Sequence, residues 1–228
     1  MEKILIIAAH PDDEVLGAGG AIVKHVENGN EVSLLIVTDG STSQYKDDPK
    51  LLEIIEEKKK ETESCARTLG IKNVYYGDLP DMKLDSIPHI DINNVIENVI
   101  DEVNPSIVYT HFYGDVNKDH RCVYESTLVA CRPTQNQIVK RIFLYYVPSS
   151  TEWNLQIPNS IFMPNWYEKL TEREAEIKYD AFKCYKEELR EYPHPRSIEY
   201  LRNLDVSNGN KIGAEFAECF MLVRNIVD

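Results

Sequence analysis

The sequence predicts an open α/β fold in which helices cover both faces of a mostly parallel central sheet. Apolar runs alternate with amphipathic stretches from the first residues onward, which is the pattern of consecutive βα units. Several apolar runs are continuous, as expected of strands buried on both faces. Because 43% of the 228 residues are apolar, the chain can build a sizeable core, and residues 1–228 are predicted to form a single domain.

The first 69 residues contain four predicted elements. Residues 3–9 are a short apolar run, which indicates a central strand. A helix is predicted over residues 14–27, with Gly29 where a C-terminal cap belongs. Residues 32–38 form a second buried strand that ends in an Asp-Gly turn signal. Residues 49–69 place apolar side chains at helical spacing opposite a charged face, so a second helix is predicted there.

The rest of the chain continues the same alternation. Pro105 ends a helix before the next strand begins, since proline cannot continue a helix. Thr171 and Glu174 form a capping box, in which their side chains satisfy free amides at a helix start. The proline-bearing stretch over residues 149–170 is predicted to be a lid or an insertion within the domain. The remaining predicted elements are helices over residues 90–103, 119–131 and 171–190 and strands over residues 73–76, 106–111, 141–147 and 219–226.

The charge and the cysteine pattern exclude several classes of protein. With 25 Lys+Arg and 38 Asp+Glu the formal net charge is −13, so the chain repels phosphate backbones and we expect no nucleic-acid partner. No stretch approaches the roughly 18–20 apolar residues that span a bilayer, and an acidic loop follows too early for a secretory signal, so we expect a cytoplasmic protein without a transmembrane segment. The 5 cysteines lack C-x-x-C spacing, which disfavours a thiolate zinc site.

The segment that follows the first predicted strand carries an imidazole and three carboxylates, from His10, Asp12, Asp13 and Glu14. In open parallel sheets, ligands bind outside the carboxyl ends of the strands. Histidine and aspartate are normal zinc ligands, and a spare carboxylate beside a metal can accept a proton from water. The alternative is that Asp12 or Asp13 caps the next helix. A cap needs one acid, however, and three crowded carboxylates repel each other unless a cation relieves them.

A second cluster of polar residues lies at the end of the predicted strand over residues 106–111. His120 follows Asp119 at a helix start that faces the same sheet edge as His10. It would complete a His-Asp-His set and leave a fourth position open for water, which distinguishes catalytic from structural zinc. His111 alone carries less weight, because a lone histidine is more often a surface or a satisfied core residue.

The His-Pro-Asp-Asp-Glu segment after the first strand, together with the Asp-His pair after the fourth, resembles the zinc-dependent N-deacetylases of the PIG-L/LmbE family. This resemblance implies a Rossmann-like three-layer α/β fold and Zn²⁺ as cofactor. It also implies hydrolysis of the N-acetyl group of an N-acetylglucosamine-type sugar or conjugate, by a protein that forms a homo-oligomer. Supporting matches occur in residues 58–61, 69–70, 79–81, 193–197 and 217–218.

The resemblance also implies the roles of individual residues. By position, His10, Asp13 and His120 are the metal ligands. Asp12 is the general base that removes a proton from the attacking water. Asp119 is a catalytic-site carboxylate that lies beside the ligands without binding the metal. These assignments come from the family pattern.

Position 117 departs from that pattern. Many family members have histidine where this chain has Asn117, and that histidine polarises the carbonyl or protonates the leaving amine. Asparagine can donate a hydrogen bond to an oxyanion but cannot deliver a proton near neutral pH. We therefore expect Asp12 to return the proton to the amine, with His111 or His194 as a helper.

The substrate-binding residues are predicted from charge and position. Lys58, Arg121 and Arg196 are the cations expected to face the pocket, with His194 beside them. They could hold a phosphate or a carboxylate on the substrate. For each cation the alternative is a solvated charge or a structural ion pair.

Two other functions compete with the deacetylase interpretation. The glycines of residues 17–20 could form the phosphate loop of a nucleotide-binding protein, but they lie inside a predicted helix and position 22 is isoleucine. Close packing of the helix on the sheet explains these glycines better. A non-catalytic zinc-binding protein would instead have a closed site of four ligands.

Overall fold

Strands and helices alternate along the chain in the computed structural model, which describes residues 1–134, 138–155, 157–158 and 160–227. The strands are β1 (Lys3–Ala8), β2 (Glu31–Thr38), β3 (Asn73–Leu79), β4 (Ile107–His111), β5 (Arg141–Tyr145), β6 (Trp166–Leu170) and β7 (Phe216–Asn225). The helices are α1 (Asp13–Glu27), the single turn α2 (Thr42–Tyr45), α3 (Leu51–Leu69), α4 (His89–Val103), α5 (Lys118–Ala130), α6 (Glu172–Phe182) and α7 (Ile198–Asn210).

All seven strands form one sheet in the order β3-β2-β1-β4-β5-β7-β6. Strands β1 to β5 pair in parallel, whereas β7 is antiparallel to both β5 and β6. The prediction of a mostly parallel sheet is therefore confirmed. Because β1 lies between β2 and β4, the strand order reverses there, and this leaves a crevice at the carboxyl ends of β1 and β4.

The sheet is the middle of three layers, and its central strand is buried on both faces. Ile4 and Ile6 of β1 point to the face covered by α1, α3, α6 and α7. Leu5 and Ile7 point to the opposite face, which is covered by α4 and α5. This alternation explains why β1 is continuously apolar in sequence. No helix in the described part of the chain is both long and apolar enough to span a bilayer.

Helix α1 is interrupted at Ala18, whose backbone angles of φ −146° and ψ 17° are not helical. The amides of Gly20 and Ala21 donate hydrogen bonds to the carboxylate of Glu218 at 2.9 and 2.7 Å. Free amides at a helix start attract an anion, and here a side chain from β7 supplies it. Glu218 therefore already satisfies the amides that an anion would need.

The glycines of α1 lie where the helix meets the rest of the core. A Cβ atom on Gly17 would overlap the ring of Tyr145 and come within 2.8 Å of its Cγ atom. A Cβ atom on Gly19 would come within 2.8 Å of Lys178 Cγ. The prediction that these glycines allow close packing is confirmed. The structure gives no support to the nucleotide-binding interpretation.

The C-terminal third differs most from the predicted elements. The capping box at Thr171 is present, but the helix it starts ends at Phe182 instead of residue 190. Helix α7 was not predicted, because Asp205 and Asn208 are buried and interrupt its apolar periodicity. Strand β6 was also missed: residues 166–170 of the predicted lid or insertion form the edge of the sheet. The idea of a lid stays a prediction for the part of that stretch before β6.

Candidate metal and active site

Three potential metal ligands meet at the reversal point of the sheet. His10 follows β1, Asp13 begins α1 and His120 lies in the first turn of α5. His10 Nδ1 lies 3.2 Å from His120 Nε2 and 3.3 Å from Asp13 Oδ2. His120 Nε2 lies 3.4 Å from the same Asp13 oxygen. Each residue offers one ligand atom, and these atoms all lie within 4.8 Å of one another.

In both His10 and His120, a carboxylate lies beside the ring nitrogen that faces away from the cluster. His10 Nε2 lies 3.2 Å from Asp119 Oδ2 and 3.3 Å from Asp81 Oδ1. His120 Nδ1 lies 3.1 Å from Asp115 Oδ2, an ion-pair distance without hydrogen-bond geometry. Histidines that bind metals usually donate their second ring N–H to a carboxylate, which fixes the ring and strengthens the ligand. Nδ1 of His10 and Nε2 of His120 are therefore the nitrogens that face a shared ligand.

The charges around this cluster favour positive charge at its centre. Burial alone would lower the pKa of His120, but the charges of Asp13 and Asp115 outweigh it and raise this pKa to about 9. Burial would raise the pKa of Asp13, but the neighbouring His120 and His111 hold it well below its ordinary value. The donor set of two imidazoles and one carboxylate is chemically suited to zinc.

Asp12 presents a free carboxylate oxygen beside this cluster. It occupies the N-cap position of α1 with φ 107° and ψ −26°, but its side chain makes no capping hydrogen bond. Its buried Oδ2 atom has no hydrogen-bond partner among the residues that the structure describes. Arg196 Nη1 lies 3.3 Å away, as an ion pair without hydrogen-bond geometry. Burial raises the pKa of Asp12 well above its ordinary value, although Arg196 opposes the shift.

A cavity of about 430 Å³ opens above Asp12, a size within the usual range for small-molecule sites. Its walls come from the loops that follow β1, β2, β3, β4 and β5, together with α3 and the segment between α6 and α7. Most of its lining residues carry polar or charged side chains. The residues around it are His10, Pro11, Asp12, Gly40, Ser43, Gln44, Lys58, Asp81, Met82, Val116, Asn117, His120, Ser149, Ser150, Trp153, Glu188 and Arg196.

Asn117 and Asp119 organise the start of α5. Asn117 Oδ1 accepts a hydrogen bond from the amide of Asp119 at 2.9 Å, so it is the N-cap residue. The side-chain amide nitrogen of Asn117 remains at the cavity, 3.5 Å from the sulfur of Met82. Asp119 accepts a hydrogen bond from the amide of Leu84 at 3.1 Å while its other oxygen faces His10. Asp119 thus contacts His10, a potential metal ligand, on the side of the ring that faces away from the cluster.

Three predicted residues do not line the cavity. His111 is fully buried, and its Nε2 accepts a hydrogen bond from the amide of Ala9 at 2.8 Å. Burial, with the charge of His120 beside it, lowers the pKa of His111 well below its ordinary value, so it has no proton to deliver near neutral pH. Arg121 and His194 also lie outside the cavity lining. The geometry therefore gives no support to catalytic or substrate-binding roles for these residues.

Three important acidic residues were not assigned roles from the sequence: Asp81, Asp115 and Glu188. Asp81 follows β3, at the carboxyl end of a parallel strand, and this position could have indicated a site residue. The strand was predicted to end at residue 76 instead of residue 79, so Asp81 was not recognised as following it. Asp115 lies in the loop after β4 and faces His120. Glu188 contacts both Lys58 and Arg196 across the cavity wall, and nothing local in the sequence indicates such a contact.

Solved structures share this fold across the whole chain. The N,N'-diacetylchitobiose deacetylase of Pyrococcus horikoshii aligns with a TM-score of 0.78 at 23% identity, covering 98% of this chain and 84% of that protein. The 4-carboxy-2-hydroxymuconate hydratase of Pseudomonas putida aligns with a TM-score of 0.76 at 20% identity, covering 100% and 98%. At these identities the similarity establishes the fold, which serves more than one reaction.

Sequence comparisons identify the family. An uncharacterized deacetylase of Escherichia coli, YaiS, is 27% identical over 191 residues, which are 80% of this chain and 90% of that protein. The family profile described as PIG-L, GlcNAc-PI de-N-acetylase, matches residues 5–131. That match spans more than half of the chain and includes the three potential metal ligands and Asp12. The chain therefore belongs to the PIG-L family of deacetylases.

Proposed function

We propose that this protein is a zinc-dependent hydrolase that removes the N-acetyl group from an N-acetylglucosamine-type sugar or conjugate. The observation that carries the proposal is the buried, unpartnered carboxylate oxygen of Asp12 beside the His10–Asp13–His120 cluster. Family membership supports deacetylation. The name of the structural neighbour from Pyrococcus horikoshii supports an N-acetylated amino sugar as the substrate.

The three clustered residues would hold the zinc ion through His10 Nδ1, one carboxylate oxygen of Asp13 and His120 Nε2. Three protein ligands with an open fourth position are typical of catalytic zinc, whereas a structural site has four. When bound, zinc supplies Lewis-acid stabilisation of negative charge on the amide oxygen and lowers the pKa of water. The site thus differs from the closed centre of a non-catalytic zinc protein.

The residues of the chain supply the proton transfers. Asp12 takes the proton from the water that attacks the amide carbon, and its raised pKa makes it a stronger base than an exposed aspartate. Asn117 donates its side-chain N–H to the oxygen that gains negative charge. Because Asn117 holds no titratable proton, protonated Asp12 returns the proton to the leaving amine. Arg196 then faces an ionised Asp12 again.

Acetate release from defined sugars tests the proposal. The zinc-loaded protein is incubated with N-acetylglucosamine and N,N'-diacetylchitobiose, and acetate and primary amine are measured together. Equal amounts of both are expected, which hydration of a double bond would not produce. Asp12→Asn is expected to lower kcat by roughly 10²–10⁴-fold while one zinc per chain is retained.

A matched control separates the base from a general charge effect. Asp85→Asn removes an exposed carboxylate that pairs with Lys118 outside the cavity, and it should retain kcat. Failure to release acetate from any N-acetylated amino sugar by the zinc-loaded protein would contradict the function. A wild-type rate in Asp12→Asn would contradict the role of the base.

A further inference from the structure

The two cations of the cavity are already paired with carboxylates. Lys58 Nζ lies 3.0 Å from Glu188 Oε1 and 3.4 Å from Glu187 Oε2. Arg196 Nη1 lies 2.5 Å from the other oxygen of Glu188 and 3.3 Å from Asp12. An anionic group of a substrate would have to displace Glu188 to reach either cation. The expectation that Lys58 and Arg196 hold a phosphate or carboxylate is therefore not supported by the geometry.

The charges of the cavity lining also disfavour an anion. Beside the proposed metal ligands, the lining contributes the carboxylates of Asp12, Asp81 and Glu188 against the cations Lys58 and Arg196. Asp81 is nearly buried and accepts a hydrogen bond from the hydroxyl of Ser43. Carboxylates of this kind can accept hydrogen bonds from sugar hydroxyls, but they repel a second negative charge.

Large apolar side chains are exposed at the mouth of the cavity, beside two exposed polar residues. Met82, Val116 and Trp153, which we call the apolar rim, line the cavity and are 53%, 46% and 58% exposed. The sulfur of Met82 lies 3.5 Å from the side-chain nitrogen of Asn117, so the rim begins next to the proposed oxyanion donor. Exposed apolar groups that are continuous with a site commonly mark a ligand-binding surface.

The backbone holds part of this rim in an unfavourable conformation. Met82 has φ 54°, in the left-handed region that L-residues rarely adopt. Such strain is concentrated at functional sites, where the surrounding structure maintains it. At this position it keeps a large apolar side chain in solvent.

We propose that the substrate carries an uncharged, apolar aglycone that binds the apolar rim, while its N-acetylglucosamine unit occupies the polar interior. This inference rests on the proposed function and specifies the substrate class. Covering one phenyl ring at the rim should raise kcat/KM on the order of tenfold, since apolar burial stabilises binding in proportion to area. An aglycone with a phosphate should have the opposite effect.

Four substrates test the proposal, with acetate or fatty-acid release as the readout. They are the methyl and phenyl β-glycosides of N-acetylglucosamine, N-acetylglucosamine 1-phosphate and N-octanoylglucosamine. The phenyl glycoside is expected to have a kcat/KM on the order of tenfold above the methyl glycoside, and the phosphate a lower value than the methyl glycoside. Preference for the phosphate, or for the octanoyl amide over the phenyl glycoside, overturns the proposal.

Three variants locate the effect. Trp153→Ala is expected to reduce the ratio of phenyl to methyl kcat/KM towards one. Leu52→Ala, which truncates an exposed apolar residue on α3 outside the cavity, should leave that ratio unchanged. Glu188→Gln is expected to raise the relative kcat/KM for the phosphate, because it removes a carboxylate that competes for both Lys58 and Arg196. An unchanged phenyl ratio in Trp153→Ala contradicts the proposal.

A binding measurement separates this inference from the proposed function. Calorimetric titration of metal-free protein with phenyl and methyl β-D-glucosaminide, the deacetylated products, requires no turnover. If the phenyl compound binds more tightly than the methyl compound and Trp153→Ala removes this difference, the result supports aglycone binding at the apolar rim. This holds even if no acetate is released and the proposed function fails. Equal binding of the two compounds overturns the inference even if deacetylation is observed.

Discussion

Asp115 Oδ2 lies 3.1 Å from His120 Nδ1, on the side of the imidazole ring opposite to the nitrogen that faces Asp13. Asp115 is itself held in place. It accepts hydrogen bonds from the amide of Asn117 at 2.8 Å, from the hydroxyl of Thr151 at 2.8 Å and from the hydroxyl of Ser150. The loop after β5 therefore fixes a carboxylate at ion-pair distance from a proposed metal ligand on α5.

Asp115→Asn is expected to weaken zinc binding by roughly 10–100-fold, because a neutral amide orients and polarises His120 less well than a carboxylate does. Competition with a chromophoric chelator measures the affinity. Asp85→Asn is the control, since it removes an exposed acid without touching a histidine. Equal zinc affinities of wild type and Asp115→Asn would show that the contact has no role in metal binding.

Asp12→Gly is expected to stabilise the metal-free protein while abolishing activity. Glycine adopts φ 107° without the backbone strain of about 1–3 kcal/mol that a residue with a Cβ atom carries there, and it also removes a buried carboxylate. The melting temperature should rise by roughly 2–4 °C per kcal/mol gained. Asp12→Ala keeps the Cβ atom in the left-handed region and should gain less. A lower melting temperature for Asp12→Gly than for Asp12→Ala contradicts this account.

Lys178→Met is expected to destabilise the protein by about 3–5 kcal/mol near neutral pH, because it leaves buried carboxylates without their partner. Lys178 Nζ lies 2.9 Å from both oxygens of Asp205 and 2.9 Å from Glu218. Lys183→Met is a matched control, since that lysine is exposed and pairs with exposed Asp180. Chemical denaturation should show little change for the control.

The loss in Lys178→Met should also depend on pH. Burial raises the pKa of Asp205 to about 6 even though Lys178 lowers it, and without Lys178 the pKa rises further. When the pKa of a carboxyl group is higher in the folded state than in the unfolded state, the free energy of unfolding falls as the pH rises between these two pKa values. The deficit of the variant should therefore be larger at pH 8 than at pH 5. A loss of stability in Lys178→Met that is larger at pH 5 than at pH 8 would contradict this role of Asp205.

Gly17→Ala is expected to destabilise the protein by about 1–3 kcal/mol, because the new methyl group would overlap the buried ring of Tyr145. That ring cannot move freely, since its hydroxyl donates a hydrogen bond to the carbonyl of Ile7 at 2.7 Å. Thermal melting measures the effect. Gly213→Ala is a useful comparison: no atom lies within 4 Å of the added Cβ, so only its φ of 70° opposes the change. Equal stability of Gly17→Ala and wild type would contradict close packing.

Most of the sheet and the position of the site were predictable from short stretches of sequence. Continuous apolar runs predicted β1, β2 and β4, because a strand buried on both faces can contain little else. The polar residues after β1 and β4 predicted where the potential ligands would meet, since neighbouring parallel strands end at the same sheet edge. Edge strand β6 and helix α7 carry no such signal, because their partly polar residues depend on contacts with distant segments.

The chemical type of the site is local information, whereas the state of its charges is not. His10, Asp12 and Asp13 are adjacent in the chain, so their chemistry can be inferred without a fold. Whether a cation such as Arg196 is available depends on Glu188. Whether His111 can donate a proton depends on its burial and on the hydrogen bond that it accepts from the amide of Ala9. Pairing and burial arise only when distant segments pack together, and for that reason the folded structure alone shows which charges remain available to a substrate.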